Sequence, residues 1–228
     1  MRTVGFERNY LMHPAGSCLA SYGNTKVVCT ATIEDSVPPF REESGGGWLT
    51  AEYAMLPGST GGGRKRREIF KRDGRSTEIQ RLIGRSLRAA VDLEGIGPVS
   101  IIVDCDVIQA DGGTRTVSIS GGWVALYDAL SALAGRNGVP SPETYLRGQM
   151  AALSVGIVDG EVVCDLDYEH DSRAEVDMNV VFLGDELVEI QGTGERNTFD
   201  RAKLDELLDE AQKGAETVYE AQRRALGW

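Results

Sequence analysis

The sequence predicts an α+β fold in two related halves, with mixed sheets covered by helices. Three observations carry this. Strand-like and helical segments follow one another as strands, helix, strand, helix, strands, helix. Hairpin signals at Gly23-Asn24, Asp159-Gly160 and Gly184-Asp185 require antiparallel pairing. A chain of 228 residues can bury one large core, and no linker separates the halves. Residues 1–228 are therefore expected to form one compact unit from an N-terminal part, 1–158, and a C-terminal part, 159–228.

Each element has its own signal. Residues 17–22 and 25–34 are β-rich runs joined at Gly23-Asn24. After Pro38-Pro39 and Gly45-Gly46-Gly47, residues 48–56 read as another strand. Ile79, Leu82, Ile83, Leu87, Ala90 and Val91 recur at helical spacing until Gly95 and Gly97-Pro98 stop the helix, and Arg81, Arg85 and Arg88 share its other face. Residues 99–108 form a near-continuous apolar strand. In the helix expected over 116–135, Ile119, Trp123, Leu126, Leu130 and Leu133 share one face, while Gly121, Gly122, Ala125 and Ala129 permit close packing. Residues 152–158 and 161–168 flank Asp159-Gly160; 177–183 and 186–191 flank Gly184-Asp185. Leu204, Leu207, Leu208, Ala211, Ala215, Val218 and Tyr219 mark the inward face of a long last helix.

Composition narrows the class. The N-terminus has no apolar signal core, no uninterrupted apolar run is long enough to span a bilayer, and Cys18, Cys29, Cys105 and Cys164 lack Cys-x-x-Cys spacing. A cytoplasmic protein with reduced thiols, no zinc site and no membrane is expected. The net charge of −11 excludes non-specific coating of nucleic acid, yet it is unevenly spread: residues 159–228 hold 19 acidic and 7 basic residues, the first 158 hold 16 and 17. Within the basic part, Arg64, Lys65, Arg66, Arg67, Lys71, Arg72 and Arg75 place seven positive charges in twelve residues. Such a run is a solvated loop that can also grip a polyanion.

Gly112-Gly113-Thr114-Arg115, between an apolar strand and a helix, has the parts of an anion site. The glycines let a ligand approach the backbone, the first helical turn offers unpaired N–H groups, Thr114 adds a hydroxyl, and Arg115 adds a two-pronged cation. Further on, residues 165–177 hold six carboxylates in thirteen positions. Asp165 and Asp167 are expected on a solvated strand face. Asp171, in a loop, and Asp177, at the start of an apolar strand, suit Mg²⁺, which takes one or two carboxylates and fills its remaining positions with water and phosphate. His13 and His170 are the only histidines, and no Ser-His-Asp or Cys-His pattern is legible. Phosphate, metal and polyanion sites without a protein nucleophile point to metal-assisted transfer to phosphate at a phosphodiester.

Four ordered blocks carry a resemblance: 50–57 (TAEYAMLP), 73–92 (DGRSTEIQRLIGRSLRAAVD), 104–116 (DCDVIQADGGTRT) and 171–179 (DSRAEVDMN). Over nearly all its length the chain resembles the ribonuclease PH family of phosphate-dependent 3′-to-5′ exoribonucleases. The resemblance implies a ribosomal protein S5 domain 2-like fold, a homohexamer built as a trimer of dimers, and trimming of transfer RNA precursors and other RNA 3′ ends, with inorganic phosphate as co-substrate and nucleoside diphosphate as product. It implies that Arg75, Gly113, Thr114 and Arg115 bind phosphate, that Asp171 and Asp177 hold Mg²⁺ or assist proton transfer, and that 64–72 holds transfer RNA. Family members carry an Arg- and Gly-containing segment ahead of the position of Arg8-Asn9-Tyr10 that is missing here. Two other readings compete: a catalytically silent RNA-binding ring subunit, which would lose the arginines or the aspartates, and a phosphate-metabolising enzyme without RNA, for which the basic loop would be superfluous.

Overall fold

The computed structural model describes residues 1–66 and 74–228. A five-stranded sheet comes first, built from β1 (Val4–Arg8), β2 (Gly16–Tyr22), β3 (Thr25–Glu34), β4 (Trp48–Met55) and β5 (Ser100–Gln109) in the order β1-β2-β3-β5-β4. Its pairs are antiparallel except β4 with β5. A parallel pair needs a crossover, and helix α2 (Gly74–Ala89) lies between these two strands in sequence. The second sheet is antiparallel, with β6 (Met150–Val158), β7 (Glu161–Cys164), β8 (Val176–Leu183) and β9 (Glu186–Gly194) in the order β7-β6-β8-β9. The remaining helices are α1 (Pro39–Glu42), α3 (Thr114–Asn137), α4 (Tyr168–Arg173) and α5 (Arg201–Leu226).

One apolar core runs through both sheets, and α3 is its axis. By length and composition α3 could cross a membrane, but it is buried within the protein. The small residues do what their spacing predicts: a Cβ on Gly121 would stand 2.4 Å from the Ala20 Cβ and 2.9 Å from the Cys29 Sγ. Polar bonds then register the halves. Tyr22 Oη donates to Ser120 Oγ at 2.8 Å, and that oxygen also accepts the Ala152 N–H of the second sheet at 3.0 Å. From α5, the buried Gln222 donates to Met150 O and Ser120 O, at 2.8 and 3.3 Å.

Several boundaries differ from the expectations. The short β1 has no alternating pattern, yet it pairs with β2 residue by residue from Val4↔Tyr22 to Arg8↔Cys18. The helix expected over 116–135 begins at Thr114 because Gly112 and Gly113, at φ 75 and 63, turn the chain sharply into it. The strand expected over 161–168 ends at Cys164, where Asp165 takes a left-handed φ of 63. Asp165 is therefore not on a solvated strand face. It is buried and ion-paired with Arg2, whose Nη2 lies 2.6 Å away. Asp167 caps α4, accepting the His170 N–H at 2.9 Å, so Asp171 sits in a helix rather than in a loop. The arginine stripe of α2 is largely committed within the protein. Arg85 forms two bonds to Glu189, and the half-buried Arg88 lies over the Trp48 ring and donates to Leu49 O.

Candidate active site

A cavity of about 440 Å³ opens where the first turn of α3 faces the second sheet. Its cationic side comes from Arg75 at the start of α2 and from Gly113, Thr114 and Arg115. Gly112 makes this arrangement possible: a Cβ there would lie 2.4 Å from Leu166 O and 2.7 Å from the Asp167 Cα, so the turn is pressed against the loop of the other half. Arg2 ties the same turn down, donating to Asp111 O at 2.5 Å while holding Asp165. Tyr53 Oη and Thr114 Oγ1 lie 2.9 Å apart, which fixes the threonine rotamer. Arg115 is held loosely, 3.4 Å from Gln191 Oε1 and 3.6 Å from Glu78 Oε2. No side chain caps α3, so its first N–H groups are aimed at the cavity without a side-chain acceptor.

The opposite side carries Asp171, from α4, and Asp177, the second residue of β8. Burial pushes the Asp171 carboxyl up from its ordinary value, against the lowering pull of Arg75 and Arg115. Burial and the neighbouring Asp171 push Asp177 up to about 6, again against Arg115 and Arg75. The charge of Asp171 thus raises the half-buried Asp177, and both carboxylates feel Arg75 and Arg115. Asp171 and Asp177 are the residues that could hold a divalent cation, since Mg²⁺ needs few protein oxygens when phosphate supplies others. Among the described residues, no group of three or more His, Cys, Asp or Glu is placed to hold a metal.

The structure thus brings Arg75, Gly113, Thr114, Arg115, Asp171 and Asp177 into one cavity. It does not bring His170 there; that ring bonds Asp167 at 2.7 Å through Nδ1. Arg64 and Arg66 are exposed, Lys65 is half-buried with its N–H on Pro57 O, and none of the three lines the cavity. Arg67, Lys71 and Arg72 lie outside the described residues. Sequence reasoning missed Ser154 on β6, Asn179 on β8, and Glu195 and Arg196 just beyond β9. Asn179 had a signal, since it shares a strand face with Asp177 at a spacing of two. Ser154 faces the cavity only because β6 pairs with β8 in the register Ser154↔Asn179, which no local pattern encodes.

Chemically, the cavity sets arginines and the start of α3, which suit an anion, beside two carboxylates. Among the described residues it presents no serine, cysteine or lysine activated by a base. Residues 1–131 match the profile described as the 3′ exoribonuclease family, domain 1, and 148–214 match domain 2 of the same description. The chain is 56% identical over 227 residues to a protein named ribonuclease PH from Corynebacterium diphtheriae, covering 99% of this chain and 93% of that one. It is 53% identical over 228 residues to the ribonuclease PH of a Synechococcus strain, with the same coverages. The crystal structure of rice (Oryza sativa) Rrp46 superposes with a TM-score of 0.77 at 17% identity, covering 98% of this chain and 94% of that one, which is a likeness of fold.

Proposed function

The chain belongs to the 3′ exoribonuclease family, and from that premise we propose how its cavity carries out phosphorolysis. The protein is a phosphorolytic 3′-to-5′ exoribonuclease, a nucleotidyltransferase that moves the terminal nucleotide of transfer RNA precursors onto inorganic phosphate. Arg75, Arg115, Thr114 and the N–H groups that follow Gly113 bind the phosphate. An oxygen of that phosphate attacks the terminal phosphodiester, and the bond from phosphorus to the 3′-oxygen of the preceding nucleotide breaks. The 3′-oxygen keeps the electron pair and takes a proton, and the terminal nucleotide leaves as nucleoside diphosphate. One phosphate ester is exchanged for a phosphoanhydride, so concentrations set the direction.

The single observation behind this assignment is the meeting of two arginines and a glycine turn with two carboxylates in one cavity that offers no protein nucleophile among the described residues. Asp171 and Asp177 would hold Mg²⁺, which when bound neutralises charge on the reacting phosphoryl oxygens. Both parts, 1–158 and 159–228, work as one unit, because the cavity draws walls from each. The basic run 64–72 grips transfer RNA, and its described residues Arg64, Lys65 and Arg66 do not line the cavity. Assembly as a hexamer of three dimers follows the family resemblance. A cytoplasmic setting is supported by Cys18, Cys29 and Cys105, which sit side by side on β2, β3 and β5 as free thiols. A silent RNA-binding subunit is not favoured, since both charged sets are present and converge.

The test is to incubate a 3′-extended transfer RNA with and without phosphate and identify the product. Nucleoside diphosphates that appear only with phosphate are expected. Monophosphates at an equal rate in phosphate-free buffer would make the protein a hydrolase.

A further inference from the structure

Beneath the opening turn of α3 lies a polar side chain to which the described residues give no partner. Asn179 is 8% exposed and lines the cavity, and its carboxamide makes no hydrogen bond to any described residue. Amides buried to this degree are almost always bonded, and one left open toward a cavity is poised for something that enters it. Its strand neighbours locate it on the anion side. Across β8 and β6 it pairs with Ser154, whose Oγ would be 3.6 Å from a Cβ on Gly113. Across β8 and β9 it pairs with Gln191, whose Oε1 accepts from Arg115. Ser154 Oγ accepts the Leu166 N–H at 3.0 Å, and its hydroxyl hydrogen has no acceptor among the described residues.

Building on the phosphorolytic reading, we propose that Asn179 is a phosphate-binding residue, donating through its carboxamide to the attacking phosphate with the Ser154 hydroxyl as a second donor. In the reverse direction the same groups receive the β-phosphate of a nucleoside diphosphate. The residue type fits its place. Phosphate carries more acceptor sites than two arginines and one helical turn fill, and a floor donor fixes which oxygen is left to attack. A neutral amide adds donors without a charge two residues from Asp177. A carboxylate there would repel the dianion, and an ammonium would compete for Asp177.

The experiment is a phosphate titration of the intact protein, read in two ways: the rise of the melting temperature with inorganic phosphate, and the KM for phosphate against the KM for RNA. Asn179→Leu removes the donors at similar volume, and Asn179→Asp keeps the shape while adding charge. Losing a hydrogen bond to an anion weakens binding about 10- to 100-fold, so the leucine variant should need that much more phosphate for the same melting shift and show a similar rise in phosphate KM, with RNA KM unchanged. The aspartate variant should lose more, and it reads the same titration if the leucine variant does not fold. A phosphate dependence equal to wild type, or a rise in RNA KM in its place, would overturn the assignment. Wild-type protein whose melting and products ignore phosphate would instead bring down the phosphorolytic reading itself.

Discussion

The two walls of the cavity are built in opposite ways. The cationic wall is set by backbone: two left-handed glycines, a helix start without a side-chain cap, and hydrogen bonds from Arg2 and Tyr53 fix the turn before any ligand arrives. The acidic wall is set by burial: a six-residue helix and a strand end hold Asp171 and Asp177 close enough for the charge of one to raise the pKa of the other, with no hydrogen bond to either side chain from a described residue. One wall is preformed, and the other holds a carboxyl, Asp177, whose charged form is disfavoured. Function and stability should therefore separate on the acidic wall and move together in the glycine turn.

The largest effects come from removing charge. Arg115→Ala deletes a cation proposed to meet the incoming dianion, and turnover should fall on the order of 10²- to 10³-fold, read as steady-state phosphorolysis. Asp177→Asn should cost at least as much activity, yet it should make the metal-free protein more stable at neutral pH. The sign follows from linkage. The folded-state pKa of Asp177 lies above its ordinary value, so its contribution to stability is complete below about pH 4 and is lost as pH rises through about 6. Above that range the charged form is a burden. Allowing for partial solvation, its removal is worth about 1–2 kcal/mol, a melting rise of several degrees for a chain of this size. An Asp177→Asn protein that melts lower than wild type in chelator at pH 7 would mean that the acidic wall is not strained.

Acid should act on the same wall. In their proposed role as metal ligands the carboxylates must be ionised, so kcat/KM should fall about tenfold per pH unit below pH 6, and raising Mg²⁺ should move the midpoint to lower pH because metal and proton compete. Activity that climbs on acidification would assign Asp177 to proton donation instead. On the cationic wall, Gly112→Ala places a methyl group 2.4 Å from Leu166 O at a φ of 75, and the turn must shift. A loss of about 1–3 kcal/mol, seen in melting, should come together with a raised phosphate KM. If the two change independently, the turn is not the phosphate receptor.

The contrast also explains what can be read from sequence alone. Gly112-Gly113-Thr114-Arg115 is legible because backbone-determined sites leave local signatures in glycine and in the strand-to-helix change of period. Asp171 and Asp177 are legible only as excess charge. The carboxylates around them divide by burial, which is a tertiary property: Asp165 reads as solvated but is locked under Arg2, and Asp167 is a helix cap. Residues contributed by strand pairing leave the weakest trace. Ser154 sits in an apolar run and reaches the site through the register of β6 on β8, and β1 is short enough that only its partner strand defines it.

The smallest catalytic effect, and the sharpest separation of grip from chemistry, should come from the basic run 64–72. Neutralising Arg64, Lys65, Arg66 and Arg67 together should weaken the proposed hold on RNA phosphates while leaving Arg75, Arg115 and the carboxylates in place. Every cationic side chain withdrawn from a phosphate lowers the slope of log affinity against log salt by about 0.7–0.9, so transfer RNA binding should weaken and its salt dependence flatten. A short unstructured oligonucleotide is held chiefly by its 3′ end, where Arg75, Arg115 and the carboxylates remain, and its cleavage should change little. Measuring both substrates for wild type and quadruple variant over a salt series distinguishes the outcomes. Equal loss on the two substrates would tie the run to catalysis. An unchanged salt slope would leave it a solvated charge cluster and move the grip elsewhere on the basic half, with Arg81 the first residue to try, because Arg85 is already bound to Glu189 and Arg88 to the β4 backbone.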